Sequence, residues 1–188
     1  MRVIGGQYRS RPLKSIPGLD IRPSSDRLRE TLFNILTAGN PSGIAGKTFF
    51  DLYAGTGAVG IEALSRGAAT VYFLESSKKA SDLILSNLRS LGINSGFEIL
   101  RGEVQSGLQL LDRRAVAGDI FFLDPPYRLT SEYRTSMEIL GASTLVKNES
   151  IVVAEHEKKF DPGERAGGLV RFRIVKQGDT ALSFYRKA

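Results

Sequence analysis

FDLYAGTGAVGIEALSRG, residues 50–67, decides the fold. An apolar run, Phe49 to Tyr53, delivers the chain into Gly55-Thr56-Gly57, and an alanine- and leucine-bearing stretch follows from about Ala58 to Arg66. That order reads as strand, tight turn, helix. Gly55, Gly57 and Gly60 fit the spacing G-x-G-x-x-G. Residues without a Cβ permit the turn and let a ligand approach the backbone, and the first turn of the helix has free N–H groups to offer. The next apolar run, TVYFLE at residues 70–75, ends on Glu75. A carboxylate at that strand end can accept hydrogen bonds from ribose hydroxyls. The glycines and Glu75 therefore predict a ligand with an adenosyl ribose. They fit a nicotinamide-binding oxidoreductase as well as any other enzyme with such a ligand.

Asp51 separates the alternatives. It stands four residues before Gly55, at the end of the strand that feeds the turn. A carboxylate there opposes a pyrophosphate and favours a cation. S-adenosylmethionine carries a sulfonium and an α-amino group, so D-x-x-x-G-x-G points to methyl transfer.

A second constellation is FFLDPPYR, residues 121–128. Two prolines fix φ and remove two backbone donors. Asp124-Pro125-Pro126-Tyr127 is thus a rigid, acceptor-rich corner, complementary to an amino group, with a flat ring for stacking.

Around these motifs the chain alternates. Strands are expected at 49–53, 70–75, 97–101, 119–123 and 150–154, with helices from Ala58, Ser77, Val104 and Glu132 between them. Leu169 to Val175 and Thr180 to Arg186 flank Gln177-Gly178-Asp179 and predict a C-terminal antiparallel hairpin. An earlier helix, capped by Ser24 or Ser25, is expected to run to about Ala38. The pattern predicts an α/β, Rossmann-like fold: a mostly parallel seven-stranded sheet with helices on both faces. Residues 1–22 are expected to form a basic arm with a short hairpin, preceding a single domain over 23–188.

The 188 residues suit one domain. There are no cysteines, which excludes disulfides, thiolate metal sites and cysteine nucleophiles. No metal set is recognisable: His156 is the only histidine, and a surface or structural role is expected for it. The chain shows no secretory segment near Met1 and no apolar run of about 18 residues. A cytoplasmic protein with no membrane partner is the expectation, with organellar import left open, and a monomer is the simplest state. The formal net charge is +6, which permits a polyanion partner. Arg2, Arg9, Arg11 and Lys14 precede any acid, with Tyr8 among them. They read either as a solvated terminus or as an arm that contacts phosphates and stacks a base.

DLYAGTG resembles motif I of class I S-adenosylmethionine-dependent methyltransferases, and DPPY resembles their motif IV in its nitrogen-methylating form. RVIGGQYRSRPL, IRPSSDRLRETLFNIL, FDLYAGTGAVGIEALSRGA and FLDPPY together are similar to the RsmD family, which methylates the N2 amine of a guanine in small-subunit (16S) ribosomal RNA. The resemblance implies that Asp51, Ala54, Gly55 and Gly57 hold the methionine part of the cofactor, Glu75 the ribose, and Glu103 and Val104 the adenine. Arg22, Pro23 and Ser24 would close over the cofactor or place the RNA. Asp124, Pro125, Pro126 and Tyr127 would hold the target base, and the partner would be ribosomal RNA or an assembling 30S particle. N6 of adenine and a glutamine amide remain alternative acceptors, because DPPY does not separate them.

Overall fold

The computed structural model describes residues 1–15, 25–40 and 43–188. After the N-terminal segment come α1 (Asp26–Leu36), β1 (Thr48–Leu52), α2 (Ala58–Ser65), β2 (Thr70–Glu75), α3 (Lys78–Ser90), β3 (Phe97–Arg101) and α4 (Val104–Arg113). Then follow β4 (Gly118–Leu123), α5 (Thr130–Ala142), β5 (Val146–Glu157), β6 (Arg165–Ala166), β7 (Leu169–Gln177) and β8 (Thr180–Lys187). Ser25 and Ser77 start α1 and α3 by accepting from the N–H groups of Leu28 and Ala80, the usual remedy for orphan donors at a helix start.

One sheet runs through the molecule in the order β3-β2-β1-β4-β5-β8-β7-β6. β1, β2, β3, β4 and β5 are parallel, and β8, β7 and β6 are joined antiparallel. The expected seven strands are present, and the two-residue β6 makes an eighth at the edge. β5 is also longer than expected, starting at Val146. Its register against β4 jumps from Gly118↔Val146 to Ile120↔Ile151. Exposed Lys147, Asn148 and Glu149 occupy that bulge and break the apolar run a strand would show.

The pleat sorts side chains into two cores. Phe49, Val71, Phe73, Ile120, Phe122, Val153, Leu182 and Phe184 face one way and are buried with residues of α1, α2 and α3. Phe50, Leu52, Leu74, Phe121, Leu123, Val152 and Tyr185 face the other way, with residues of α4 and α5. The N-terminal segment belongs to the first face. An antiparallel bridge joins Arg2 to Pro12, and Val3 and Leu13 are buried in that core. The Ile4 and Gly5 N–H groups donate to the Glu62 carboxylate at 2.7 and 2.8 Å. Lys14 N–H donates to Asn87 Oδ1 at 2.8 Å, so this hairpin is fastened to α2 and α3 at both ends. His156 is buried: its Nε2 lies 2.9 Å from Ser183 Oγ. It is structural, not a surface group.

Candidate active site

The carboxyl ends of parallel strands converge where strand order reverses, between β1 and β4, the usual place for a ligand in such a sheet. A cavity of about 360 Å³ lies there, lined by Tyr53, Gly55, Glu75, Ser76, Glu103, Asp124, Pro125, Pro126, Tyr127, Arg128, Leu129 and Glu132. The glycine turn and the DPPY corner, far apart in sequence, thus form two walls of one cavity.

The turn is built by backbone necessity. Gly55 and Gly57 have φ of +55° and +75°, a region that L side chains rarely adopt. Gly60 has a different role: a Cβ there would come within 2.3 Å of the Phe73 ring, so its absence lets α2 lie against β2. Two buried carboxylates hold the turn. Glu75 accepts from Gly55 N–H at 2.7 Å and from Ser77 N–H at 2.7 Å, and its remaining lone pairs are available to a ligand hydroxyl. Asp51 accepts from Gly60 N–H at 2.8 Å. Burial pushes the Asp51 carboxyl up to about 8. The Gly60 N–H opposes that shift, and the charges of Glu75 and Glu155 add to it.

Asp51 does not line the cavity. It sits beneath the turn, because the pleat directs it to the α2 and α3 face. Ala54, Gly57 and Val104 likewise sit behind the lining. Val104 is buried among core residues and has only backbone to offer a ligand, whereas Glu103 lines the cavity. Arg22, Pro23 and Ser24 lie outside the described residues.

Sequence reasoning missed the wall that joins the two motifs. Tyr53 takes a φ of +63°. Its hydroxyl donates to Glu132 Oε2 at 2.8 Å and lies 2.8 Å from Ser136 Oγ. Gln105 Nε2 also donates to Glu132 Oε2. Burial raises the Tyr53 phenol above its ordinary value, and its bond to Glu132 acts in the same direction, so it stays a donor. Glu132, on the first turn of α5, is thereby fixed at the cavity beside the DPPY corner. The lining holds four carboxylates, Glu75, Glu103, Asp124 and Glu132, against one guanidinium, Arg128.

The expected RNA-contacting residues lie on the docked hairpin. Arg2, Arg9, Arg11 and Lys14 are exposed. Arg2 lies 3.5 Å from Asp26, Arg11 reaches Ser90 O at 3.4 Å, and Lys14 Nζ reaches Ser86 Oγ at 3.1 Å. Tyr8 is half-buried against the core. Among the described residues no three His, Asp or Glu side chains are grouped as a metal site requires. None of their helices is long and apolar enough to cross a membrane.

This topology, with a glycine turn after β1, an acid ending β2 and an Asp-Pro-Pro-Tyr corner after β4, is the Rossmann-like fold of class I methyltransferases. A solved structure of a hypothetical protein from Thermus thermophilus superposes with a TM-score of 0.81 at 27% identity, covering 99% of both chains. Ribosomal RNA small subunit methyltransferase D of Haemophilus influenzae is 33% identical over 188 residues, covering 94% of this chain and 93% of that protein. Its namesake in Escherichia coli K12 is 33% identical over 159 residues, covering 84% and 75%. The model of the family described as "Conserved hypothetical protein 95" matches residues 1–186, and the chain belongs to that family.

Proposed function

We propose that this chain transfers the methyl group of S-adenosylmethionine to the exocyclic N2 amine of a guanine in small-subunit ribosomal RNA. The observation that carries this reading is the acid-rich cavity that joins the glycine turn to the DPPY corner. Four carboxylates suit a sulfonium and an ammonium and repel a pyrophosphate, which argues against a dinucleotide. The relatives named for small-subunit ribosomal RNA methylation support the substrate class.

The lining also favours guanine over adenine. Guanine carries an N1–H beside its amine, so those two adjacent positions are both donors, with the O6 acceptor beyond them. Adenine places a ring acceptor beside its amine. The ionised Asp124 and Glu132 carboxylates and the proline carbonyls only accept, and an acceptor facing the adenine ring nitrogen is left unsatisfied.

Bound in this cavity, S-adenosylmethionine supplies an electrophilic methyl group. Glu75 would accept from its ribose, Glu103 and the Val104 backbone would flank its adenine, and Ala54, Gly55 and Gly57 would bear the methionine end, with Asp51 behind them. The amine of guanine is a poor nucleophile because its lone pair is delocalised into the ring. The Asp124 carboxylate and the Pro125 carbonyl accept its two hydrogens, which favours a pyramidal nitrogen aimed at the methyl. Tyr127 stacks on the base, and Pro126 keeps the corner rigid. The nitrogen lone pair would form the new C–N bond as the C–S bond breaks, and the surplus proton would leave to Asp124 or to water. Orientation and charge placement supply the acceleration. The base must be unstacked to enter, at a cost of a few kcal/mol. Phosphate contacts from Arg2, Arg9, Arg11 and Lys14 offset that cost.

The test is transfer of a labelled methyl group to unmethylated ribosomal RNA and to small-subunit particles, followed by nucleoside analysis. N2-methylguanosine is expected. N6-methyladenosine as the product, or transfer to neither substrate, contradicts the proposal.

A further inference from the structure

Residues 158–188 carry eight basic side chains against three acidic ones. Five of the eight lie on the β7–β8 hairpin. There Phe172 is 48% exposed and Ile174 40%. The Arg186 guanidinium lies 4.5 Å from the Phe172 ring centroid, and Phe184 supports that ring from the core at 6.2 Å. The register of β7 against β8 is irregular between Arg171 and Arg173. Phe172 sits in that irregularity, outside the alternation that buries its neighbour across the hairpin.

Phe184 belongs to the core on the face covered by α1, α2, α3 and the N-terminal hairpin. Phe172 and Arg186 therefore lie on the same face of the sheet as Arg2, Arg9, Arg11 and Lys14. The N-terminal hairpin is fastened to α2 and α3, which pack on β2. Five strand spacings, roughly 24 Å, separate β2 from β7.

We infer that Phe172 and Arg186 form a second RNA contact, a platform that stacks one unpaired base outside the active site. This rests on the ribosomal RNA reading above. A guanidinium lying on an aromatic ring presents a flat cationic surface, and both groups stack bases without demanding a particular sequence. Arg173, exposed on β7 and paired across the hairpin with Phe184, supplies a phosphate contact beside it. Charge selects this occupant: a second copy docked symmetrically would set one basic hairpin against another.

The experiment measures binding of wild type, F172A, F172L, F172W and R186A to a small-subunit ribosomal RNA fragment holding the target and its flanking strands, together with steady-state methyl transfer. F172A is expected to weaken binding and raise KM by about tenfold, the scale of one lost base stack, with kcat and cofactor affinity within about twofold. F172L should be as weak as F172A, because it keeps apolar area and loses the flat face, and F172W should restore binding. R186A should weaken binding severalfold. Wild-type affinity in F172A, or full rescue by leucine, overturns the platform. So does a wild-type dimer in sedimentation that F172A converts to monomer, which would make the patch a protein interface. The binding measurement stands even if wild type forms no N2-methylguanosine, a result that contradicts the proposed reaction instead.

Discussion

The cavity at the strand ends and the hairpins at the two ends of the chain carry opposite charge. Residues 1–15 hold four basic side chains and no acid, residues 158–188 hold eight against three, and with a total of +6 the chain between them is net negative. The negative part contains Asp51, Glu75, Glu103, Asp124 and Glu132 at or beneath the cavity. Under the proposed function, the division lets one small domain take two partners of opposite charge. Acids gathered where strands end and desolvation is strong suit a small cation. Bases spread over an exposed face suit a long polyanion, whose affinity builds from many screened contacts.

The contrast breaks most sharply at Asp124. D124A should lower methyl transfer by about 10²–10³-fold, the scale of a lost group that stabilises transition-state charge. Cofactor affinity measured by calorimetry should stay within about threefold. Equal turnover in mutant and wild type would remove Asp124 from the chemistry.

At Glu75 the effect should fall on binding instead. E75A removes the acceptor for Gly55 and Ser77 N–H groups along with the proposed ribose contact. Cofactor affinity should fall by about 10- to 100-fold, as expected for a lost charge-assisted hydrogen bond, with RNA affinity unchanged.

How far these regions could be read in the sequence differs for a physical reason. The glycine turn, Glu75 and the DPPY corner are local: a φ requirement, a strand end and two fixed φ angles each leave a mark within a few residues. The sheet was legible because strand and helix alternate with different periods. The Tyr53–Glu132–Gln105 wall was not, since Tyr53 and Glu132 stand 79 residues apart and neither carries a pattern. The docked N-terminal hairpin was obscure because, of its described residues, only Val3 and Leu13 are fully buried in the core, with Met1 and Tyr8 partly buried against it, among glycines and bases that read as solvated. Phe172 looked like one more strand residue, and only the irregular β7 register exposes it.

A smaller effect should appear with pH. The Asp51 carboxyl is raised by burial to about 8, so from about pH 4 to 8 the folded chain holds a proton that the unfolded chain has lost. Its contribution to stability is therefore present in acid and lost as pH rises through 8. A bound cation favours the ionised form, which reverses the sign for binding. Cofactor affinity should rise from pH 6 to 9, and binding at pH 7 should release a fraction of a proton, measurable by calorimetry in buffers of different ionisation enthalpy. In D51N both effects should vanish.

The smallest effect should be on the hairpins. R9A and R11A together should leave cofactor affinity and kcat unchanged. They should reduce the slope of log K for RNA against log salt by roughly 0.7–0.9 for each phosphate no longer neutralised. An unchanged slope would take the N-terminal hairpin out of the RNA interface.

The measurement that bears most directly on the acid-lined cavity is calorimetric titration of the wild-type chain with S-adenosylmethionine and, separately, with NAD. A single saturable site for S-adenosylmethionine with no heat from NAD is the predicted result. Binding of NAD without binding of S-adenosylmethionine would contradict it.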